Sequence, residues 1–329
     1  MNKKLAPTLA GCAVLLLAGC SSSMSDGTNT NPAGPKAYVG LFGDNAVAVV
    51  DTNNSKVLTT IPVPTGPHGL VITPDGAKVY VSSDGATTVS VISTSSDTVV
   101  KSIEVGMTPH GLSISADGKK VLLSDFGGDQ AEIIDTASDT VSATIGVGRP
   151  HNSAISPDGT RAFEASQQMG MPAIVVLDLA AAAVVTTVPL EQAPRAVDYA
   201  ARGSVYFTLS GVDALQVLDP ATNQLGTAIP TGGSPHHMLA TKDGAFELVV
   251  SQTVGDLEYV DPATSTVVGN VPTGTTPHWI ALSSDGRFAY VTDEGSNDLA
   301  VVDIAAKKVV RTIAVGKGPR KVAVQPGVP

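Results

Sequence analysis

Aromatic residues make up only 4% of this 329-residue chain, charged residues only 15%, and there are two cysteines and one tryptophan. With so few aromatic rings, a core must be built from Val, Ile, Leu and Ala, a composition suited to β-sheet. Hydrophobic residues reach 43%, which excludes a disordered chain. No segment beyond the N-terminus has the period of a helix. The nucleophile elbow G-x-S-x-G, the P-loop and the H-E-x-x-H zinc motif are all missing. Basic surplus is missing too: 20 Lys and Arg stand against 30 Asp and Glu. Such a chain repels phosphate backbones, and nucleic acid is not an expected partner.

The N-terminus reads as a targeting segment. Lys3 and Lys4 precede a short apolar stretch centred on Ala13–Ala18, too short to span a bilayer. Leu17-Ala18-Gly19-Cys20 resembles the lipobox of bacterial lipoproteins. That resemblance implies a signal peptide over residues 1–19, lipidation of Cys20 and a polar tether over residues 20–35. The expected location is the cell envelope, with membrane contact through the N-terminal lipid only. Ser21 after the cysteine favours the outer membrane in a Gram-negative host. Cleavage removes two lysines and takes the net charge from −10 to −12. Cys12 leaves with the signal and Cys20 carries lipid, so disulfides and thiolate metal sites are excluded.

What the rest of the chain has in abundance is repetition. Pro-His or Pro-Arg occurs at Pro67, Pro109, Pro150, Pro194, Pro235, Pro277 and Pro319, with intervals of 42, 41, 44, 41, 42 and 42 residues. A period near 40 made of short β-type runs marks a β-propeller. In one repeat, Leu70-Val71-Ile72 leads into the turn Thr73-Pro74-Asp75-Gly76. Three more runs follow, over residues 78–81, 89–92 and 99–105. Four antiparallel strands make one blade. A second turn, beginning at Asp51, Ser93, Asp135, Asp178, Asp219, Asp261 and Asp303, repeats seven times in step. The expected fold is therefore all-β, a seven-bladed propeller over residues 36–329. The first run, Ala37-Tyr38-Val39, matches a second strand, and Val322-Ala323-Val324 matches a first strand. The last blade must then combine one C-terminal inner strand with three N-terminal strands. Proline at positions 62, 189, 230 and 272 places the fourth strand on the outer edge.

Pro74-Asp75-Gly76-Ala77-Lys78-Val79-Tyr80-Val81 and Asp285–Asp293 resemble the YVTN-repeat family of seven-bladed β-propellers, as does Val301-Val302-Asp303-Ile304. The resemblance spans residues 36–324 and implies the fold rather than an activity. Blade 4, counted from the inner strand that follows Pro67 as blade 1, departs most: Ala200-Ala201-Arg202-Gly203 replaces the Pro-Asp-Gly turn.

The Pro-His/Arg sites all precede the inner strand, so His68, His110, His151, Arg195, His236, His278 and Arg320 should ring one channel mouth. The ring contains five of the six histidines. Proline fixes its own φ and favours an extended neighbour, which would pre-organise the ring. Three roles are open to it: a structural cap, a transition-metal site for Cu or Zn, or a site for a small anion. Asp125, Asp293 and Glu164 are candidate acceptors that would orient the imidazoles. Met107, Met169, Met171 and Met238 would favour copper if they joined the ring. Trp279 could wall a ligand pocket. The functional expectation is a monomeric, non-enzymatic envelope protein that binds a small ligand, a metal or another envelope protein. The alternative is an enzyme of the lactonase or lyase kind that uses His and a carboxylate at the same mouth.

Overall fold

A computed structural model describes the first two residues and residues 35–327. The lipobox, Cys20 and the tether lie outside the described residues. The described chain forms seven antiparallel sheets, and six of them run in chain order from the inner to the outer strand. Blade 1 consists of Pro67–Ile72, Lys78–Ser83, Thr88–Ser93 and Thr98–Glu104. Blade 7 closes the ring as expected. Its inner strand Pro319–Val324 pairs with Lys36–Leu41, setting Val322 opposite Val39 and Val324 opposite Ala37. Blade 4 is again the irregular one. Its outer strand is split into Gln224–Leu225 and Ile229–Pro230, and Gly226 bonds back to the Val217 carbonyl between them.

The outer strands are exposed along most of their length, whereas the second and third strands are buried on both faces. Apolar residues of neighbouring blades therefore meet in the wedge between sheets. Between blades 7 and 1, Tyr38, Val49 and Val81 pack with Leu70 and Ile92. Burying each such aliphatic side chain contributes roughly 1.5–3 kcal/mol.

Polar latches join the blades at their lower rim. The turn after the third strand puts Asp97 and Asp139 in the left-handed region, at φ +50° and +52°. Each then faces the preceding blade. Tyr38 OH donates to Asp97 Oδ1 at 2.7 Å, and Lys36 Nζ lies 2.7 Å from Oδ2. Tyr80 and Lys78 hold Asp139 in the same way at the next seam.

Candidate functional site: an imidazole collar and its second tier

The ring residues do converge. His68 and His110 have ring centroids 3.7 Å apart, His110 and His151 4.2 Å, and His236 and His278 4.1 Å. His68 reaches across the mouth, 6.4 Å from His151 and 5.7 Å from His278. The approach to this collar differs from the expected one. Six of the seven residues before the ring prolines have left-handed φ: Gly66, Thr108, Arg149, Ser234, Thr276 and Gly318. Only Ala193 does not. The chain must reverse sharply between the outer strand of one blade and the inner strand of the next, and this need overrides the extended preference of a residue before proline.

Four of the five imidazoles are oriented by the next blade. Nδ1 of His110 donates to the His151 carbonyl (2.8 Å), and Nδ1 of His151 donates to that of Arg195 (2.8 Å). His236 donates to His278 (3.1 Å), and His278 to Arg320 (3.0 Å). A carbonyl can only accept, so Nδ1 carries the proton and the Nε2 lone pair of each neutral ring stays free. Hydroxyls of the second strands bond to carbonyls of the ring residues: Thr292 Oγ1 donates to Arg320 O at 2.8 Å, and Thr208 Oγ1 to His236 O at 2.9 Å. Gly69 makes room for this lattice, since a Cβ there would lie 2.3 Å from the His110 carbonyl oxygen. His68 makes no side-chain hydrogen bond among the described residues. Burial, reinforced by the neighbouring cationic groups, keeps all five rings neutral, with His151 lowered to about 4 and His236 to about 3.

The expected orienting acceptors lie elsewhere, a correction for Asp125, Asp293 and Glu164: carbonyls take that role. Asp125 accepts from Gln130 Nε2 (3.0 Å) and the Gly128 amide (3.3 Å), in a niche where a Cβ on Gly106 would collide with it. Asp293 accepts from Thr273 Oγ1 at 2.9 Å, and Glu164 from Ser124 Oγ at 2.7 Å. All three are buried between blades, which raises Asp125 to about 6 and the other two to about 8.

The residue that does face the collar is one position beyond Asp125 and Asp293. Its amide donates to the carbonyl of the residue before the ring proline, for example Asp84 to Gly66 at 2.9 Å and Glu294 to Thr276 at 3.0 Å. The pattern gives Phe42, Asp84, Phe126, Gln167, Ser210, Gln252 and Glu294 as a second tier around the ring. Phe126 sits 5.9 Å from His110. Glu294 Oε1 accepts from Arg320 Nε at 3.0 Å, and the Arg320 guanidinium lies 3.5 Å over the Phe42 ring. Arg195 reaches Ser210 Oγ at 3.3 Å. Arg320 is thus held by a carboxylate, and Arg195 by one hydroxyl.

Asp84 differs from the rest of this tier. Its Oδ1 is buried without a hydrogen-bond partner among the described residues, and burial raises its pKa to about 6. One donor atom each from Asp84, His68 and His110 lies within 4.8 Å of the other two. Asp125 and Asp293 precede their tier residues by one position, and Glu164 precedes Gln167 by three. The methionines do not join the collar. Met107, Met169 and Met171 are exposed, and Met238 is fully buried in the core between blades 4 and 5.

No curated protein matches the chain. Among solved structures, a chain of Kuenenia stuttgartiensis hydrazine synthase is 22% identical with a TM-score of 0.75, covering 85% of this chain and 99% of that one. The periplasmic gluconolactonase PpgL of Pseudomonas aeruginosa is 18% identical (TM-score 0.70), covering 88% of this chain and 99% of its own. AztD from Citrobacter koseri is 16% identical (TM-score 0.66), covering 91% and 99%. At these identities the likeness is one of fold. A family model for YNCE-like beta-propellers matches residues 36–114 and 173–328, most of the propeller, and the chain belongs to that family.

Proposed function

We propose that the protein is a binding propeller of the cell envelope, tethered through Cys20, whose collar holds a transition-metal ion, zinc or copper, on His68, His110 and Asp84. The observation that carries this reading is the unpartnered, buried Asp84 Oδ1 beside two imidazole donors. Two imidazoles and one carboxylate form a donor set suited to either metal. Four-coordinate bonds of about 2.1 Å require donors about 3.4 Å apart, so small side-chain rotations would close the present spacing. The Nδ1–carbonyl bond of His110 supports the reading further, because a backbone partner that holds the ring and leaves Nε2 free is the usual outer support of a metal-bound histidine.

The collar favours this over the alternatives. An anion site on the ring would draw on both guanidinium groups, and that of Arg320 is already paired with Glu294. A lactonase- or lyase-like acid–base pair would need an imidazole hydrogen-bonded to a carboxylate, and no such bond occurs among the described residues. Calorimetric titration of metal-free protein with Zn2+ and with Cu2+ tests the site. One ion should bind, and Asp84→Ala and His68→Ala should each weaken it at least tenfold while the far-ultraviolet spectrum is unchanged. Absence of binding for both metals, or affinities equal to the parent in both variants, refutes the assignment.

A further inference from the structure

Beneath the collar the channel contains a second constellation, made by the residue that follows each ring residue. In blades 1 and 2 this residue is Gly69 or Gly111. Asn152, Ala196, His237, Trp279 and Lys321 hold the same position in blades 3 to 7. Lys321 extends across the channel, and its Nζ donates to the Leu112 carbonyl of blade 2 at 2.9 Å. The same ammonium lies 4.0 Å from the centroid of Trp279, whose ring stacks on His237 at 3.4 Å and 22°. These groups border a cavity of about 390 Å3 that runs toward the C-terminal ends of the inner strands, away from the collar. Its remaining walls are largely aliphatic, with Leu70, Leu112, Leu239, Ile280 and Val322 among them.

The polar groups here are mostly donors. The Lys321 ammonium has three N–H bonds and one acceptor, and it is only 4% exposed. No carboxylate lies within ion-pair distance of it among the described residues. His237 Nδ1 accepts from the Ile280 amide at 3.3 Å, so its proton sits on Nε2, which makes no hydrogen bond among the described residues. The Asn152 amide, also buried, has none among the described residues. The cavity's own carboxylate, Asp198, is engaged with the Ala240 amide at 3.2 Å and with Glu247. Ser113 and Ser153 satisfy one another at 2.7 Å.

A buried ammonium without a counter-charge is destabilising, and an anion entering the cavity would supply what is missing. One positive charge suits a monoanion better than a phosphate dianion. The aliphatic wall asks for a hydrocarbon body. We propose that the channel cavity is a binding site, separate from the collar, for a small monocarboxylate with an apolar body, its carboxylate paired with Lys321.

Trp279 is the single tryptophan of the chain, so its fluorescence reports on this cavity alone. The full protein is titrated with hexanoate, octanoate and phenylacetate, and in parallel with 1-octanol and octylamine. At least one carboxylate should saturate the signal, and the alcohol and amine should bind at least tenfold more weakly, as expected for one charged hydrogen bond. Lys321→Met should remove the preference and bring octanoate and octanol to similar affinity. The assignment is overturned by equal binding of octanoate and octanol in the parent, which would mark an apolar cleft only. It is overturned equally by silence toward all three carboxylates, or by a preference that survives in Lys321→Met. Comparison of octanoate with octylamine on the parent needs no variant and stands whether or not Lys321→Met folds.

Discussion

Replacing Lys321 with methionine should make the protein more stable, by an amount that depends on pH in a defined way. Burial lowers the lysine's pKa from 10.5 to about 7. In the unfolded chain the group keeps its ordinary value. Below pH 7 both states are protonated and the full desolvation penalty applies, on the order of 4 kcal/mol. Between pH 7 and 10.5 the unfolded chain binds the proton more tightly, so the stability of the parent should rise through this window. Above it both states are neutral and the penalty vanishes. Methionine has similar length and no charge, and it abolishes both penalty and slope. The groups facing Lys321, namely His237, His110 and His151, are all lowered by burial and stay neutral throughout the window. Glu164 and Asp293, near 8, titrate alike in both proteins and cancel in the difference. Thermal melts at pH 7 should place the variant higher by about 8 °C, taking roughly 2 °C per kcal/mol for a chain of this size. Melts at pH 10 should nearly coincide. A variant that is less stable than the parent at pH 7, or a difference that does not shrink as pH rises, would refute the reasoning.

Two further outcomes follow from the seams. Tyr38→Phe should destabilise by about 1.5–3 kcal/mol, the worth of a hydrogen bond to a charged acceptor. In a double-mutant cycle with Asp97→Ala by urea unfolding, the two losses should fall short of additive by 0.5 kcal/mol or more, and simple additivity would mean that the latch does not act as a unit. Deleting residues 320–329 removes the buried Val322 and Ala323 and the strand that pairs with Lys36–Leu41. The loss should be roughly 4 kcal/mol or more, read as a broad, early melt by circular dichroism, and an unchanged melt would contradict closure through blade 7.

The blades, their closure and the ring of His68 through Arg320 were legible because duplication wrote them at a constant interval. Asp84 was harder to single out. The loop after the second strand is polar in several blades, and strand alternation sends Asp125 between the sheets while its successor faces the mouth. Lys321, Trp279 and His237 left no periodic trace, since the position after the ring residue holds a different side chain in nearly every blade. Their meaning comes from convergence across the channel, which no local window contains. The left-handed residues before the prolines escape a local reading for a similar reason: a tertiary reversal of the chain outweighs a dipeptide preference.

The path of the chain also gathers both ends of the propeller on one face. Lys36 begins a second strand and Val324 ends an inner strand, and the two ends are tied together by the bond from the Gln325 amide to the Lys36 carbonyl at 2.7 Å. Gln325 Nε2 also reaches the Gly76 carbonyl, at the turn between first and second strands, at 3.1 Å. Both ends therefore leave from the face opposite the collar. Collar and chain ends thus occupy opposite faces of the ring, and an attachment made through the residues before Lys36 leaves the imidazoles unobstructed.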